Sequence, residues 1–285
     1  MDVRSALNSL LILALLTVSA CGQASTPPTP AAAPSPSDPN SVKATYVGNE
    51  GVLLSHRGKA VLFDGLHRKY QDAYLFPPPD LLAEMETGKS PFDQVRVILV
   101  SHVHLDHFHP ESVGLHLSNN GRARLISSSQ TMLEIAKNYS GHESIRSQTI
   151  ESTPDWKQRR DHEVDGIKVA VLGMKHGTDR FWWVKNLGHI VEMGGKKFFQ
   201  FGDADMTDEN FAAFDLPKEK IDVAFVPYWY LLSEDGRKLV RERIAAKTVV
   251  AVHISPASAT QEAEKLRGLF PGVIPLISIR QEFEF

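Results

Sequence analysis

The feature that most constrains this chain is a cluster of histidines at the end of an apolar segment. Val95–Val100 is mostly apolar and β-branched, which predicts a buried strand. The next seven residues read SHVHLDH, so His102 and His104 alternate and point to the same side of an extended chain. Asp106 and His107 complete the cluster. Four potential metal ligands within six residues therefore meet at the carboxyl end of one predicted strand.

Imidazole and carboxylate groups together form a ligand set that suits zinc, and also iron or manganese. A single histidine is more often an ordinary buried polar residue than a ligand, but packing does not explain four ligands at this spacing. The 31 basic and 34 acidic side chains give a net charge of −3, which disfavours nucleic-acid binding through phosphate neutralisation. The pattern therefore favours a metal site that acts on a small-molecule substrate.

Short β-branched segments separated by turn residues recur through residues 43–285 and predict strands. The predicted strands are Val52–Ser55, Ala60–Phe63, Val95–Val100, Arg124–Ser127, Ile167–Leu172, His189–Glu192, Lys197–Phe201, Val223–Val226 and Thr248–Val252. The predicted helices are Ser129–Tyr139, Ser233–Lys247 and Ala257–Leu269. Several helices directly follow strands, as in α/β proteins, and no second linker interrupts residues 43–285, which we interpret as one domain. Residues 66–92 are expected to form a long loop between strands.

The sequence of ligands resembles that of the metallo-β-lactamase superfamily. His102-x-His104-x-Asp106-His107 matches the family's histidine motif. The family's further elements occur in the same order, each after a predicted strand, and are Asp64, His176, Asp203 in a Gly-Asp turn, and His253. The chain is most similar to the compact branch that includes ascorbate-6-phosphate lactonase-like hydrolases. This resemblance implies a four-layer αββα sandwich with the metals at one edge of the two sheets.

The resemblance also implies roles for these residues. One divalent ion is expected on His102, His104 and His176, and a second on Asp106, His107 and His253. Asp203 is expected to bridge the two ions, and Asp64 to orient a ligand or the bridging water. Asp106 is also the expected proton acceptor. The implied activity is hydrolysis, by a water that two zinc ions activate, of a small ester, lactone, amide or phosphodiester; manganese and iron are alternative metals.

Two alternatives to that activity remain open. One is a lipid-directed phosphodiesterase, similar to the N-acylphosphatidylethanolamine phospholipase D group. The other is a non-catalytic envelope binding protein that retains the fold. Two aromatic clusters bear on the substrate, because Trp182, Trp229 and Tyr230 would line an apolar pocket if they face the metals. The alternative for these three residues is ordinary core packing.

Three histidines outside the ligand pattern receive other interpretations. His67 and His109 lie close to motif residues in the sequence, and we interpret them as solvated polar residues, with a place in the pocket lining as the alternative. His189 falls inside a predicted strand and is interpreted as a structural residue.

The N-terminal residues predict a cellular address rather than a folded segment. Residues 1–20 combine Arg4 with an apolar run that is too short for a comfortable membrane span, which is typical of a signal peptide. The sequence Val-Ser-Ala-Cys ending at Cys21 resembles the lipobox of bacterial lipoproteins, although an ordinary secretory signal remains an alternative. Residues 21–42 are rich in Pro, Ala and Ser and predict a disordered tether. The expected location is the bacterial cell envelope, with a lipid anchor in the outer membrane facing the periplasm.

Overall fold

The computed structural model describes residues 38–285, so the predicted signal peptide, Cys21 and most of the predicted tether lie outside the described residues. The strands of this part are β1 (Lys43–Gly48), β2 (Gly51–His56), β3 (Lys59–Phe63), β4 (Val95–Leu99), β5 (Arg124–Ser127), β6 (Thr149–Glu151), β7 (Arg159–Val164), β8 (Ile167–Lys175), β9 (Lys185–Met193), β10 (Lys196–Gln200), β11 (Val223–Pro227), β12 (Thr248–Val252), β13 (Ile274–Pro275) and β14 (Glu282–Glu284).

The α-helices are α1 (Pro79–Glu86), α2 (Pro110–Asn119), α3 (Ser129–Asn138), α4 (His142–Ile145), α5 (Asp208–Ala212), α6 (Leu216–Glu219), α7 (Tyr228–Leu232), α8 (Glu234–Leu239) and α9 (Ala259–Leu269). Local sequence explains several of their ends. Pro110 opens α2, where its missing N–H costs no hydrogen bond. Ser128 and Ser233 cap α3 and α8, because each hydroxyl accepts a hydrogen bond from a backbone N–H of the first turn.

The strands form two mixed sheets of similar design. One has the order β14-β1-β2-β3-β4-β5-β6, and the other has the order β13-β12-β11-β10-β9-β8-β7. Antiparallel pairs join β1, β2 and β3 in the first sheet and β7, β8, β9 and β10 in the second. The strands that follow, β4 to β6 and β11 to β13, pair in parallel. Each sheet thus changes from hairpins to the strand–helix–strand pattern along the chain.

Alternation along β4 shows how one strand serves two cores. Val97 and Leu99 join an apolar cluster between the two sheets, which also contains Phe225 and Val250 of the second sheet. Ile98 points the other way, into the cluster beneath helices α1 to α4. Successive residues of a strand face opposite sides of its sheet, so a strand covered on both faces is apolar throughout. A third cluster lies between the second sheet and helices α5 to α9.

The architecture confirms the expected four-layer αββα sandwich. All nine predicted strands are present, and β2–β3 and β9–β10 pair as antiparallel hairpins. Residues 66–92 are not a simple loop, because they contain α1, whose Leu81 and Met85 are buried against the first sheet. The predicted helix at 233–247 is instead α8 followed by a π-helical turn. Within residues 38–285 no helix is long and apolar enough to cross a membrane.

Candidate metal centre

The sheets bring together residues that are far apart in the sequence. β3 and β4 run parallel in the first sheet, so Asp64 and the histidine motif leave the sheet at the same edge. In the second sheet β8, β10 and β12 share one direction, so His176, Asp203 and His253 follow strand ends that also lie at one edge. Loops at the carboxyl ends of parallel strands are the usual place for active sites in such sheets.

The first group of donors consists of His102, His104, His176 and Asp203. One ring nitrogen from each histidine and one oxygen of Asp203 lie within 4.8 Å of one another. His102 Nε2 is 3.0 Å from His104 Nδ1, and His176 Nε2 is 3.7 Å from Asp203 Oδ2. His176 Nδ1 lies 2.8 Å from the carbonyl oxygen of Gly177, to which it can donate, which leaves Nε2 free to act as a ligand.

The second group consists of Asp106, His107, His253 and the same Asp203. His107 Nε2 is 3.4 Å from Asp106 Oδ2 and 3.4 Å from Asp203 Oδ1. His253 Nε2 is 3.0 Å from Asp106 Oδ2 and 3.6 Å from Asp203 Oδ1. The two carboxylate oxygens of Asp203 therefore face different donor groups. This is the arrangement that a bridging ligand requires.

These separations fit metal coordination. Zinc–nitrogen and zinc–oxygen bonds of about 2.0–2.2 Å place the donors of a tetrahedral site about 3.3–3.6 Å apart. The buried atoms His107 Nε2, His176 Nε2 and Asp203 Oδ1 have no hydrogen-bond partner among the described residues. Buried polar atoms are rarely left without a partner, so a metal ion at each group would account for all three. The residues present thus fit two divalent ions.

Asp64 lies beneath the second group and holds His107 in place. Its carboxylate accepts hydrogen bonds from the Ser101 backbone N–H at 2.7 Å and from the Ser101 hydroxyl at 2.5 Å. His107 Nδ1 lies 3.0 Å from Asp64 Oδ2, so a proton on Nδ1 leaves Nε2 to face the donor group. The structure therefore places Asp64 against the ring of His107, a predicted ligand, while the orienting role that the resemblance implied for Asp64 stays a prediction.

Three further buried residues adjoin the site, although the sequence analysis did not identify them. Asn49 donates from Nδ2 to the backbone oxygen of Asp106 at 3.0 Å and to its Oδ2 at 3.2 Å. Gln200 donates from Nε2 to Glu50 Oε2 and to Asp64 Oδ2, both at 2.7 Å. The sequence signal was weak, because a lone Asn-Glu pair after a strand and a glutamine at the end of β10 match no ligand pattern.

The electrostatics of the second group favour positive charge. Burial acts to lower the pKa of His107, but the facing carboxylates of Asp106 and Asp203 outweigh it and hold the pKa well above its usual value. Burial likewise acts to raise the pKa of Asp106, while His107 and His253 hold it well below its usual range. The Asp106 carboxylate thus stays ionised, as a carboxylate that binds a metal ion must. Burial and the neighbouring His176 lower the pKa of His104 to about 4, so its ring is a neutral donor at neutral pH.

The backbone is unusual where it presents the ligands. Asp64 and His253 have positive φ angles of 33° and 64°. Residues other than glycine seldom adopt this backbone conformation. Gly202, directly before Asp203, has a φ of 53°, and a Cβ atom there would lie 2.6 Å from the Ser101 Cβ. Such conformations persist only where the surrounding structure enforces them, and they concentrate at functional sites.

Aromatic side chains surround the donors. The Phe181 ring lies 4.7 Å from His104 and 5.1 Å from His176, centroid to centroid. On the other side, Trp229 and Tyr74 lie 4.9 Å and 5.2 Å from His253. The hydroxyl of Tyr70, from the 66–92 segment, is 3.4 Å from Asp106 Oδ1.

The three predicted pocket residues have different places. Trp229 lies beside the site as described. Tyr230 does not, because it is fully buried in the cluster under α5 to α9 and its hydroxyl donates to the Ala204 carbonyl oxygen at 2.6 Å. Trp182 is 83% exposed, and its neighbour Phe181 makes the ring contacts with the ligands instead.

Of the three further histidines that the sequence analysis discussed, two are fully buried. His67 is not a solvated residue as predicted, because its ring packs against Phe76 and its Nε2 lies 3.2 Å from the Gly48 carbonyl oxygen. His189 on β9 has no hydrogen-bond partner for either ring nitrogen among the described residues, and burial lowers its pKa to about 4. His109 is half-buried, and its backbone N–H donates to the Leu66 oxygen.

Comparisons with known proteins agree with this geometry. A family model described as "Beta-lactamase superfamily domain" matches residues 43–253. The curated protein "Cleavage and polyadenylation specificity factor subunit 3" of Dictyostelium discoideum is 26% identical over 222 residues, 69% of this chain. That match covers 26% of the relative, so the chain spans about a quarter of its length.

Solved structures share the fold. Igni18, a metallo hydrolase of Ignicoccus hospitalis, superposes with a TM-score of 0.54 at 16% identity, over 86% of this chain and 98% of that one. CmlA, a diiron β-hydroxylase of Streptomyces venezuelae, gives a TM-score of 0.52 at 12% identity, over 86% of this chain and 54% of that one. At such identities the likeness concerns the fold alone.

Proposed function

Because this chain belongs to the metallo-β-lactamase superfamily and is a metal-dependent hydrolase, we propose that it holds two divalent ions and cleaves a small ester, lactone, amide or phosphodiester. One observation carries the proposal. Asp203 presents Oδ2 to the first donor group and Oδ1 to the second, so the two groups share a carboxylate. A single-metal site would need no such shared residue.

The residues have separable roles in this proposal. His102, His104 and His176 would hold one ion, Asp106, His107 and His253 the other, and Asp203 both. When bound, two such ions supply Lewis acidity and make water acidic enough to serve as a nucleophile at neutral pH.

We assign proton transfer to Asp106 Oδ1. Oδ2 already accepts a hydrogen bond from Asn49 and faces His253, whereas Oδ1 contacts the Tyr70 hydroxyl at the longer distance of 3.4 Å. Oδ1 is thus the freer of the two oxygens. A carboxylate within hydrogen-bond reach of the reacting groups can act as a general base.

We propose zinc as the metal, since three histidines and carboxylate oxygens suit it, with manganese and iron as alternatives. Iron gains support from CmlA, a protein of the same fold that is described as diiron.

The direct test is metal analysis of the purified chain by plasma mass spectrometry. We expect two ions per chain in the wild type and fewer after Asp203→Asn, with His142→Ala as a control because His142 lies outside the donor groups. Near-zero metal that zinc, manganese and iron all fail to restore would overturn the proposal.

The aromatic walls suggest a substrate with an apolar part. Trp229 and Tyr74 flank the second donor group, and Phe181 covers the first. Aromatic side chains of this kind usually line pockets for small organic ligands.

We expect a panel of esters, lactones, amides and phosphodiesters to show turnover that rises with apolar substituents. Trp229→Ala should raise KM for those substrates, whereas Trp156→Ala, at a position outside the aromatic walls, should not. An RNA oligonucleotide belongs in the panel because one relative is a polyadenylation factor by name.

A lipid-directed phosphodiesterase is the second candidate. Its support is three exposed apolar side chains close in the chain to site residues, since Trp182 is 83%, Trp183 48% and Leu105 46% exposed. Exposed patches of this kind often mark a contact surface, and tryptophan suits a membrane interface. Cleavage of phospholipid in vesicles that Trp182→Ala and Trp183→Ala together abolish, without loss of soluble ester turnover, would favour this candidate over the first.

We also propose that the protein is a lipid-anchored protein of the cell envelope, facing the periplasm from the outer membrane. The support is the apolar run and Cys21 of the sequence. Cys21→Ala should leave hydrolysis intact and release the protein from membranes. Membrane retention of that variant after signal cleavage would contradict the anchor.

A further inference from the structure

The loops that carry His176 and Asp203 meet although their strands are not neighbours. His176 follows β8 and Asp203 follows β10, and β9 lies between these two strands in the sheet. Neighbouring strands lie about 4.8 Å apart, so β8 and β10 run roughly 9–10 Å from each other. His176 Nε2 is nevertheless 3.7 Å from Asp203 Oδ2. Strand spacing alone does not explain this approach, so other contacts must hold the two loops together.

The side chain of Asn210, on α5, joins the two loops. Asn210 has no exposed surface. Its Oδ1 accepts a hydrogen bond from the Lys175 backbone N–H at 2.9 Å, and its Nδ2 donates to the backbone oxygens of Lys175 at 2.9 Å and Asp205 at 3.1 Å. Lys175 directly precedes His176, and Asp205 lies two residues beyond Asp203. One buried amide therefore holds the main chain of both ligand loops.

The amide of Asn210 has its full set of hydrogen-bond partners. Its Oδ1 also accepts a hydrogen bond from Trp156 Nε1 at 3.1 Å, so two N–H groups face the oxygen and two carbonyl oxygens face the nitrogen. An amide side chain offers two acceptor lone pairs and two donor hydrogens, whereas serine, leucine and ionised aspartate do not. Trp156 belongs to neither ligand loop, and its hydrogen bond orients the amide without connecting the loops.

Two backbone hydrogen bonds act beside the amide. The Gly177 N–H donates to the Asp203 oxygen at 2.7 Å, and the Asp205 N–H donates to the Lys175 oxygen at 2.8 Å. Together they form a short antiparallel bridge between the loops. All of these contacts are made by protein groups alone. The spacing of the two loops is therefore set without a metal ion.

We propose that Asn210 is a positioning residue for the first donor group, which holds His176 and Asp203 at the spacing that a metal ion requires before the ion binds. This inference rests on the two-metal site proposed above, and it assigns Asn210 no contact with metal or substrate. Donors that are already in place lose less conformational freedom when they bind. Asn210 should therefore raise the affinity for the ion that His102, His104 and His176 would share.

The first test needs no substitution. In metal-free wild type, the backbone N–H groups of Lys175, Gly177 and Asp205 should exchange with solvent far more slowly than in an unstructured peptide, because their hydrogen bonds are already formed. Amide hydrogen exchange of the chelator-treated protein, followed by NMR, measures each rate. Exchange at the rate of an unstructured peptide would show that the loops are held only after metal binds, and would overturn the inference.

The second test compares wild type with Asn210→Ser, whose hydroxyl has one hydrogen to donate and cannot join both loops. Ile145→Ala, in the apolar cluster beneath α1 to α4, is the control for general loss of stability. Both variants should lower the melting temperature of the metal-free protein, by roughly 3–10 °C. Asn210→Ser alone should lower the affinity for one of the two zinc ions, by about 10–100-fold, in a competition titration against a chromophoric chelator.

A second control separates the loop contacts from the rest of the amide. Trp156→Phe removes one hydrogen bond from Asn210, keeps an aromatic ring and leaves the contacts with both loops. It should retain the wild-type zinc affinity. Cobalt(II), which can replace zinc at such donors, provides a spectroscopic readout because its visible absorption depends on donor number and geometry. The cobalt spectrum should change in Asn210→Ser and stay as in wild type in both controls.

The outcomes separate this inference from the proposed function. Wild-type zinc affinity and cobalt spectrum in Asn210→Ser would overturn the inference, and so would an equal loss of affinity in either control. Neither result affects the proposed function, since wild type would still bind two ions. Absence of metal from wild type would overturn the proposed function itself, whatever the exchange rates of the loop amides.

Discussion

At the scale of single residues, the site depends on groups that touch no metal as much as on the ligands. Asp64 is the clearest case, since its carboxylate accepts four hydrogen bonds, from Ser101 twice, from Gln200 and from His107. A fully buried carboxylate satisfied in this way has one orientation available. The His107 ring that it contacts is fixed to the same degree.

We therefore expect Asp64→Asn to weaken metal binding without touching a ligand. The amide cannot accept all four hydrogen bonds and loses the charge that favours a proton on His107 Nδ1. Loss of such an outer partner typically costs about 10–100-fold in metal affinity. Zinc competition titration measures the effect, and Asp161→Asn on the exposed face of β7 serves as the control. Wild-type affinity in Asp64→Asn would show that His107 is held by packing instead.

At the scale of elements, the turn after β10 is the most constrained part of the site. Gly202 combines a left-handed backbone with a close approach to Ser101 and Asn186, so no other residue fits without displacement. Any shift is transmitted at once to Asp203, the next residue. The geometry of the shared carboxylate thus depends on the absence of a side chain beside it.

Gly202→Ala is expected to destabilise the protein by about 2–5 kcal/mol, from backbone strain and overpacking together. It should also lower metal content, because Asp203 can no longer face both donor groups. Urea unfolding and metal analysis measure the two effects. The matched control is Gly268→Ala in α9, where a Cβ meets nothing within 4 Å; it should be neutral or slightly stabilising.

The buried His189 on strand β9 should make the stability of the fold depend on pH. Burial lowers the pKa of His189 to about 4, so the unfolded chain, with a pKa near 6.5, binds its proton first as pH falls. Stability from this group is therefore complete above pH 6.5 and is lost progressively toward pH 4, by roughly 3 kcal/mol in total. Metal-free wild type should lose more stability between pH 7 and 5 than His189→Gln does in urea unfolding. Parallel pH profiles for the two proteins would contradict the prediction.

At the scale of the whole molecule, each donor group draws on both sheets. His102 and His104 follow β4 of the first sheet, while His176 follows β8 of the second. In the second group, Asp106 and His107 also follow β4, whereas Asp203 and His253 follow strands of the second sheet. Bound ions would therefore link the two sheets at one edge of the sandwich.

Metal removal should consequently lower global stability. A ligand present at 100 times its dissociation constant stabilises the folded state by about 2.7 kcal/mol. For a domain of this size, that corresponds to a melting temperature on the order of 5–10 °C lower after chelation. Differential scanning calorimetry with and without chelator measures the change, and added zinc should reverse it. An unchanged melting temperature would indicate that the site is formed and held by the sheets alone.

The sequence predicted those parts of the site that depend on residues close together in the chain. It did not predict contacts between residues that are far apart in the chain. The histidine motif lies within one strand end, so spacing alone revealed it. Glu50 meets Gln200 across 150 residues, and that contact depends on how the two sheets pack. Trp229 and Tyr230 are neighbours on α7, yet one faces the site and the other the core, because successive helical residues point about 100° apart. Only the position of that helix in the fold decides between them.

The spread of the ligands along the chain has a consequence for synthesis. A ribosome releases His102 and His104 long before His176, and the second donor group stays incomplete until His253 emerges. A nascent chain therefore cannot assemble both donor groups until nearly the entire domain has been made. The supply of each ion, together with ligand type and geometry, decides which divalent ion such a site takes, more than raw affinity does. The compartment in which the finished chain folds thus selects the metal, through the ions available there.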